Sequence, residues 1–87
     1  MLFVTLVKLR RKLTKADLER TKKLLSELAK AGGKTIAMYW TLGRYDAVLI
    51  SDCPDEKAHM KMAMQFGDLC STESMVAIPR EEAEKLV

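Results

Sequence analysis

Hydrophobic and polar positions alternate most clearly over residues 35–52, where the pattern predicts two antiparallel strands. From Ile36 to Leu42, apolar side chains occupy every second position, which is typical of a strand. Residues 47–50 form a continuous apolar run, as expected for a central strand that is covered on both faces. Gly43 can adopt the positive φ that a tight turn requires, so we predict a two-residue hairpin turn at Gly43-Arg44.

The segments around this hairpin predict two further strands and two long helices. Residues 2–9 are apolar on both faces, apart from Thr5 and, near the end, Lys8, and residues 72–79 predict a fourth strand. A capping box at residues 14–17 predicts the start of the first helix, and Gly32-Gly33 its end. A second helix is predicted from Pro54-Asp55 to about Phe66, and a short terminal helix over residues 80–87.

The order β-α-β-β-α-β predicts an α+β fold of the ferredoxin-like kind, with a four-stranded antiparallel sheet in the order 4-1-3-2. Right-handed crossovers place both helices on one face of this sheet. The opposite face still carries apolar strand residues, and an exposed apolar face of that size indicates an interaction site. We therefore expect two sheets to pack face to face, as in a dimeric α+β barrel.

The chain length and charge change this picture little. Eighty-seven residues make one domain, 1–87, and a domain this small gains from self-association. No apolar run approaches the length of a membrane span or a signal peptide, so we expect a cytoplasmic protein. The first 34 residues hold ten Lys and Arg against three Asp and Glu, whereas the remainder holds five against nine. We interpret the basic third as a solvated surface and keep nucleic-acid binding as an alternative.

The hairpin residues also resemble a known family. The run Tyr-Trp-Thr-Leu-Gly-Arg-Tyr-Asp over residues 39–46 resembles the signature of the GYD domain family, and Thr72-Glu73-Ser74 resembles the start of its last strand. The resemblance implies a ferredoxin-like fold related to the dimeric α+β barrels and implies no established activity. Where relatives carry Ala and Leu in the second helix, this chain carries His59 and three methionines, Met60, Met62 and Met64.

Five residues combine bulk or polarity with a position near the hairpin or on the apolar side of the second helix. These candidates for a small-ligand site are Tyr39, Trp40, Tyr45, Asp46 and His59. The structural alternative is that Asp46 and Tyr45 serve the turn and that His59 packs at the boundary of helix and sheet. Gly43 is predicted as a structural turn residue.

No metal site, cofactor or membrane partner is expected from these residues. The two cysteines, Cys53 and Cys70, lie too far apart across a helix for a disulfide and lack a second ligand at metal-binding spacing. The first interpretation is a domain that self-associates through its open sheet face, as a homodimer or higher even oligomer, and binds a small molecule near residues 39–46. The alternatives are an enzyme resembling the dimeric-barrel monooxygenases or isomerases, and a nucleic-acid binder; the sequence leaves catalysis open.

Overall fold

A computed structural model describes every residue of the chain, 1–87. In chain order it contains β1 (Leu2–Leu9), α1 (Lys15–Lys30), β2 (Lys34–Trp40), β3 (Ala47–Asp52), α2 (Glu56–Gln65), β4 (Cys70–Ala77) and α3 (Arg80–Glu84). The four strands form one antiparallel sheet in the order β2-β3-β1-β4. The predicted ferredoxin-like α+β fold and strand order are therefore confirmed.

The core lies between the sheet and the two long helices. Its five buried residues come from both layers and are Phe3, Leu28, Leu49, Cys53 and Met62. Burying a side chain such as Leu28 contributes about 1.5–3 kcal/mol, so a core this small leaves little stability in reserve. The same sheet face also buries two hydroxyl groups, those of Thr5 and Ser51.

Helix α1 begins where the sequence predicts, at a capping box. The Thr14 hydroxyl accepts a hydrogen bond from the backbone N–H of Asp17, and the Asp17 carboxylate accepts one from the N–H of Thr14. Arg11 donates two hydrogen bonds to the same carboxylate, at 2.6 and 2.9 Å. These donors, with Arg11 as the strongest, hold the pKa of Asp17 well below its usual range. At the other end, Gly32 has the positive φ of 92° that terminates helices.

The hairpin between β2 and β3 differs from the prediction. Its connection covers residues 41–46 and is closed by a hydrogen bond from the N–H of Thr41 to the carbonyl oxygen of Asp46, so the two-residue turn at Gly43-Arg44 is wrong. Gly43 does adopt a positive φ, at 119°, within this longer loop. The register of β2 also shifts between Thr35 and Ala37, which a strict alternation did not predict.

Strand β4 begins earlier than predicted. Cys70 and Ser71, which precede the predicted strand over residues 72–79, pair with Leu9 and Lys8 of β1. The backbone N–H of Arg10 extends this side of the sheet by donating to the carbonyl oxygen of Leu69. Pairing with β1 therefore lengthens the strand by two residues at its start, because tertiary context outweighs local strand propensity.

The sheet face opposite the helices is uncovered, and we call it the open face. Strand register places seven large apolar or aromatic side chains there, none of them buried: Leu2, Val4, Leu6, Tyr39, Val48, Ile50 and Met75. Leu6 and Val48 are opposite each other on the two central strands and form the middle of this surface. This is the uncovered apolar face that the strand pattern predicted.

The segment from residue 79 to residue 87, which includes α3, forms a C-terminal arm with few ties to the rest of the chain. All of its hydrogen bonds join residues within the arm, including the Arg80–Glu84 ion pair. Its residues are exposed except for Ala83, which is half-buried. The fold therefore does not depend on contacts from this arm.

Both cysteines are unpaired, as predicted for Cys53 and Cys70, and both are buried. Burial raises the pKa of each thiol. None of the helices has the length and apolar character needed to cross a bilayer.

Candidate functional site

A cavity of about 80 Å³ lies between the sheet and the helices α1 and α2. Fourteen of its seventeen lining residues are hydrophobic, and the other three are Thr5, Thr21 and Thr72. Small-molecule sites in proteins have this character, with an apolar wall and a few polar groups. The sequence pattern predicts a ligand near residues 39–46, whereas this cavity lies on the helix side of the sheet.

The cavity reaches the protein surface beside the edge strand β2. Trp40 and Met38 line it from β2, and Leu18 lines it from the first turns of α1. These three side chains are 58%, 40% and 44% exposed, respectively, so they border solvent as well as the cavity. Register explains why both β2 residues point this way, because they pair with the buried residues Leu49 and Ala47. Of the five predicted site residues, Trp40 alone lines the cavity.

His59 lies next to the cavity, in a cluster of polar side chains beneath α2. Its Nε2 atom lies 2.7 Å from the Ser74 Oγ and 3.3 Å from the Thr5 Oγ1, and these two hydroxyl oxygens are 3.1 Å apart. Thr5 and Ser74 are opposite each other in the β1–β4 pairing, so the sheet register brings the hydroxyls together. Thr5 therefore connects the cavity wall to the imidazole.

The His59 ring is held in place by stacking as well as by hydrogen bonds. It lies parallel to the Phe3 ring, with a centroid separation of 4.1 Å and an angle of 7° between the planes. Its Nδ1 atom is buried and has no hydrogen-bond partner. Burial lowers the pKa of His59, which favours the neutral imidazole. The ring is thus held in one orientation, with one nitrogen used by the hydroxyls and the other unpartnered.

Asp46 joins the hairpin loop to β1. Its Oδ2 accepts a hydrogen bond of 2.7 Å from the backbone N–H of Leu9, and its own N–H donates to the carbonyl oxygen of Val7. These bonds extend the β1–β3 pairing beyond Ala47, where regular pairing ends. The carboxylate therefore has a structural role in the fold, which was the alternative that the sequence left open.

Tyr45 and Tyr39 are on the side of the sheet away from the cavity. The Tyr45 hydroxyl donates a hydrogen bond to the Glu73 carboxylate, and Glu73 pairs with Leu6 on the open face. This hydrogen bond raises the pKa of Tyr45. Tyr39 pairs with Val48 and is also on the open face. The structure therefore separates the five predicted residues and does not gather them into one site.

Two residues of the His59 cluster, Thr5 and Ser74, were not among the predicted site residues. Thr5 did stand out in the sequence as the one polar residue on the inward side of an apolar strand. A buried hydroxyl there needs a partner, which is a signal for a second polar group in the core. Ser74 gave no such signal, because serine is ordinary in an edge strand that is partly exposed.

The basic first third of the chain uses several of its arginines internally. Arg10 donates to the carbonyl oxygen of Gly67 at 2.9 Å, and Arg20 forms an ion pair with Asp68. Arg11 is bound to Asp17, as described above. These contacts tie the segment after β1 and helix α1 to their surroundings, which favours the interpretation of this region as structured surface.

Comparison with known families agrees with the hairpin signature. The family model described as the GYD domain matches residues 3–87, which is nearly the whole chain. This confirms the resemblance first seen over residues 39–46. No protein with a curated description matches the chain.

Proposed function

The chain belongs to the GYD domain family, and we propose that it is a self-associating domain that binds a small, largely apolar molecule. Two protomers pair through the open faces of their sheets, and each protomer holds its ligand in the cavity between sheet and helices. The observation that carries this proposal is the separation of the two surfaces. The open face is free for association while the cavity lies on the other side of the sheet.

The open face supports a symmetric dimer. Its apolar side chains come from all four strands and surround the Leu6–Val48 pair. A two-fold axis near this pair would bring the same patch of each protomer together. Burial of apolar area contributes about 25 cal/mol per Å², and a standard interface removes roughly 800 Å² from each partner. A small domain with a small core gains proportionally more from such burial.

The association is tested by placing a charge in the middle of the open face. We expect the unmodified chain to be a dimer by light scattering and native mass spectrometry, and Val48→Lys to shift it to a folded monomer, because a lysine buried there has no partner. Met64→Lys is the matched control, since Met64 on α2 is 75% exposed and faces away from the sheet. A monomeric unmodified chain, or loss of the dimer in both variants, would contradict the proposal.

The cavity supports the ligand half of the proposal. Its apolar wall and its opening beside Trp40 fit a compact hydrocarbon ring of about five carbon atoms. Trp40 is the only tryptophan, so its fluorescence reports directly on the cavity. We expect cyclopentane to change this fluorescence saturably, and Ala63→Leu, which fills the cavity from α2, to abolish the change. A linear response that is equal in both proteins would mean that the cavity binds nothing.

No specific arrangement favours the two alternative functions. The enzyme alternative would need candidates such as His59, or Tyr45 with Asp46, to line a cavity, and none of the three lines the cavity described above. The nucleic-acid alternative rests on basic residues, several of which are engaged within the chain. The cytoplasmic location stays a prediction. The two buried, unpaired thiols agree with it, because cytosolic proteins keep their cysteines reduced.

A further inference from the structure

Thr5 is the most deeply buried polar group in the cavity wall. It is 2% exposed, and its hydroxyl has two polar neighbours, the His59 Nε2 and the Ser74 Oγ. The other two threonines of the wall differ from it. Thr21 is half-buried and already donates a hydrogen bond to the carbonyl oxygen of Asp17, whereas Thr72 is half-buried on the edge strand β4. Thr5 is therefore the one fully buried residue among the three polar residues that line the cavity.

The position of the proton on the His59 ring determines which hydrogen-bonding group of Thr5 is left without a partner. Nδ1 has no partner, and leaving a buried N–H unpaired is rarer in proteins than leaving a lone pair unpaired. This places the proton on Nε2, which donates to the Ser74 Oγ at 2.7 Å. One hydroxyl proton then bridges Ser74 and Thr5 across 3.1 Å. Whichever of the two donates, Thr5 keeps either its proton or a lone pair without a partner in the chain.

We propose that the cavity selects small apolar alcohols, whose hydroxyl bonds to Thr5 while the hydrocarbon part fills the apolar space. This inference rests on the proposed function, because it names the ligand class of the same cavity. A hydroxyl both donates and accepts, so it matches Thr5 in either orientation of the bridging proton. Stacking on Phe3 and the bonds through Ser74 fix the cluster before the ligand arrives, which reduces the cost of binding.

The experiment compares cyclopentanol with cyclopentane by titration of the Trp40 fluorescence. In Thr5→Val, which keeps the side-chain shape, we expect cyclopentanol to bind about two- to tenfold more weakly, the effect of one hydrogen bond, and cyclopentane to bind unchanged. Thr21→Val is the matched control and should leave both affinities unchanged, because that hydroxyl already has a partner. Thr5→Ser, which keeps the hydroxyl, should retain the binding of the alcohol.

Each outcome distinguishes the inference from the function on which it rests. If Thr5→Val weakens both ligands equally, or weakens neither, Thr5 is a packing residue and the inference is overturned while the cavity remains a binding site. The same conclusion follows if Thr72→Val, and not Thr5→Val, selectively weakens cyclopentanol. If neither compound binds the unmodified protein, the proposed ligand binding is itself contradicted, and the inference about Thr5 falls with it. Should Thr5→Val not fold, Thr5→Ala, which also removes the hydroxyl, takes its place in the comparison with Thr5→Ser.

Discussion

The Nε2 atom of His59 on α2 and the Oγ atom of Ser74 on β4 lie 2.7 Å apart. This bond links a buried helix side chain to an exposed residue of an edge strand. His59 is 4% exposed and stacks on Phe3, so α2 has a polar attachment to the sheet within an otherwise apolar contact. A buried imidazole of this kind stabilises the helix–sheet contact while it is uncharged, because an unpaired buried charge is costly.

The first prediction concerns pH. Burial lowers the pKa of His59 in the folded protein, so between its folded and unfolded pKa values the unfolded chain binds more protons. The free energy of unfolding should therefore fall as the pH drops below about 6.5, the ordinary pKa of histidine. His59→Phe, which can keep the stack on Phe3 and does not titrate, should lose this part of the pH dependence. Urea unfolding of both proteins from pH 8 to pH 5 measures it, and identical pH profiles would contradict it.

The second prediction concerns the capping box of α1. Thr14→Ala removes the hydroxyl that accepts from the N–H of Asp17, and loss of such a cap costs about 1 kcal/mol. In a domain of this size, this lowers the midpoint of thermal unfolding by roughly 4–8 °C. Ser26→Ala is the control, because Ser26 is exposed within α1 and alanine is the better helix former. A midpoint unchanged in Thr14→Ala would mean that the cap adds nothing measurable.

The third prediction separates structural residues from ligand-binding ones. Asp46→Ala leaves the backbone N–H of Leu9 without its acceptor, and we expect a loss of about 1–3 kcal/mol in the free energy of unfolding. Its affinity for cyclopentane should match that of the unmodified chain, because Asp46 is not in the cavity wall. Trp40→Phe should behave in the opposite way, with weaker binding and a smaller stability change; its binding is followed by calorimetry. If Asp46→Ala loses binding while remaining fully folded, the carboxylate belongs to the site.

Patterning along the chain predicted the elements, the strand order and the uncovered face, because each depends on which side of a strand or helix is apolar. Loop length and the start of β4 were not predictable in this way. They depend on hydrogen bonds between distant residues, such as the bond from Leu9 to Asp46. The site was only partly predictable for the same reason. Sequence spacing placed His59 on the buried stripe of α2, but strand register decides that Ser74 lies beside it and that Tyr45 does not.

The last prediction concerns the C-terminal arm. Its hydrogen bonds are all internal and nearly all of its residues are exposed, so removal of residues 79–87 takes away almost no buried surface from the fold. We therefore expect the truncated chain to unfold within about 0.5 kcal/mol of the full chain, as for surface changes generally. Chemical unfolding in the Val48→Lys background, which we expect to be monomeric, measures this for a single protomer. A larger loss there would show that the arm packs on its own domain, because no partner is present to provide the missing contacts.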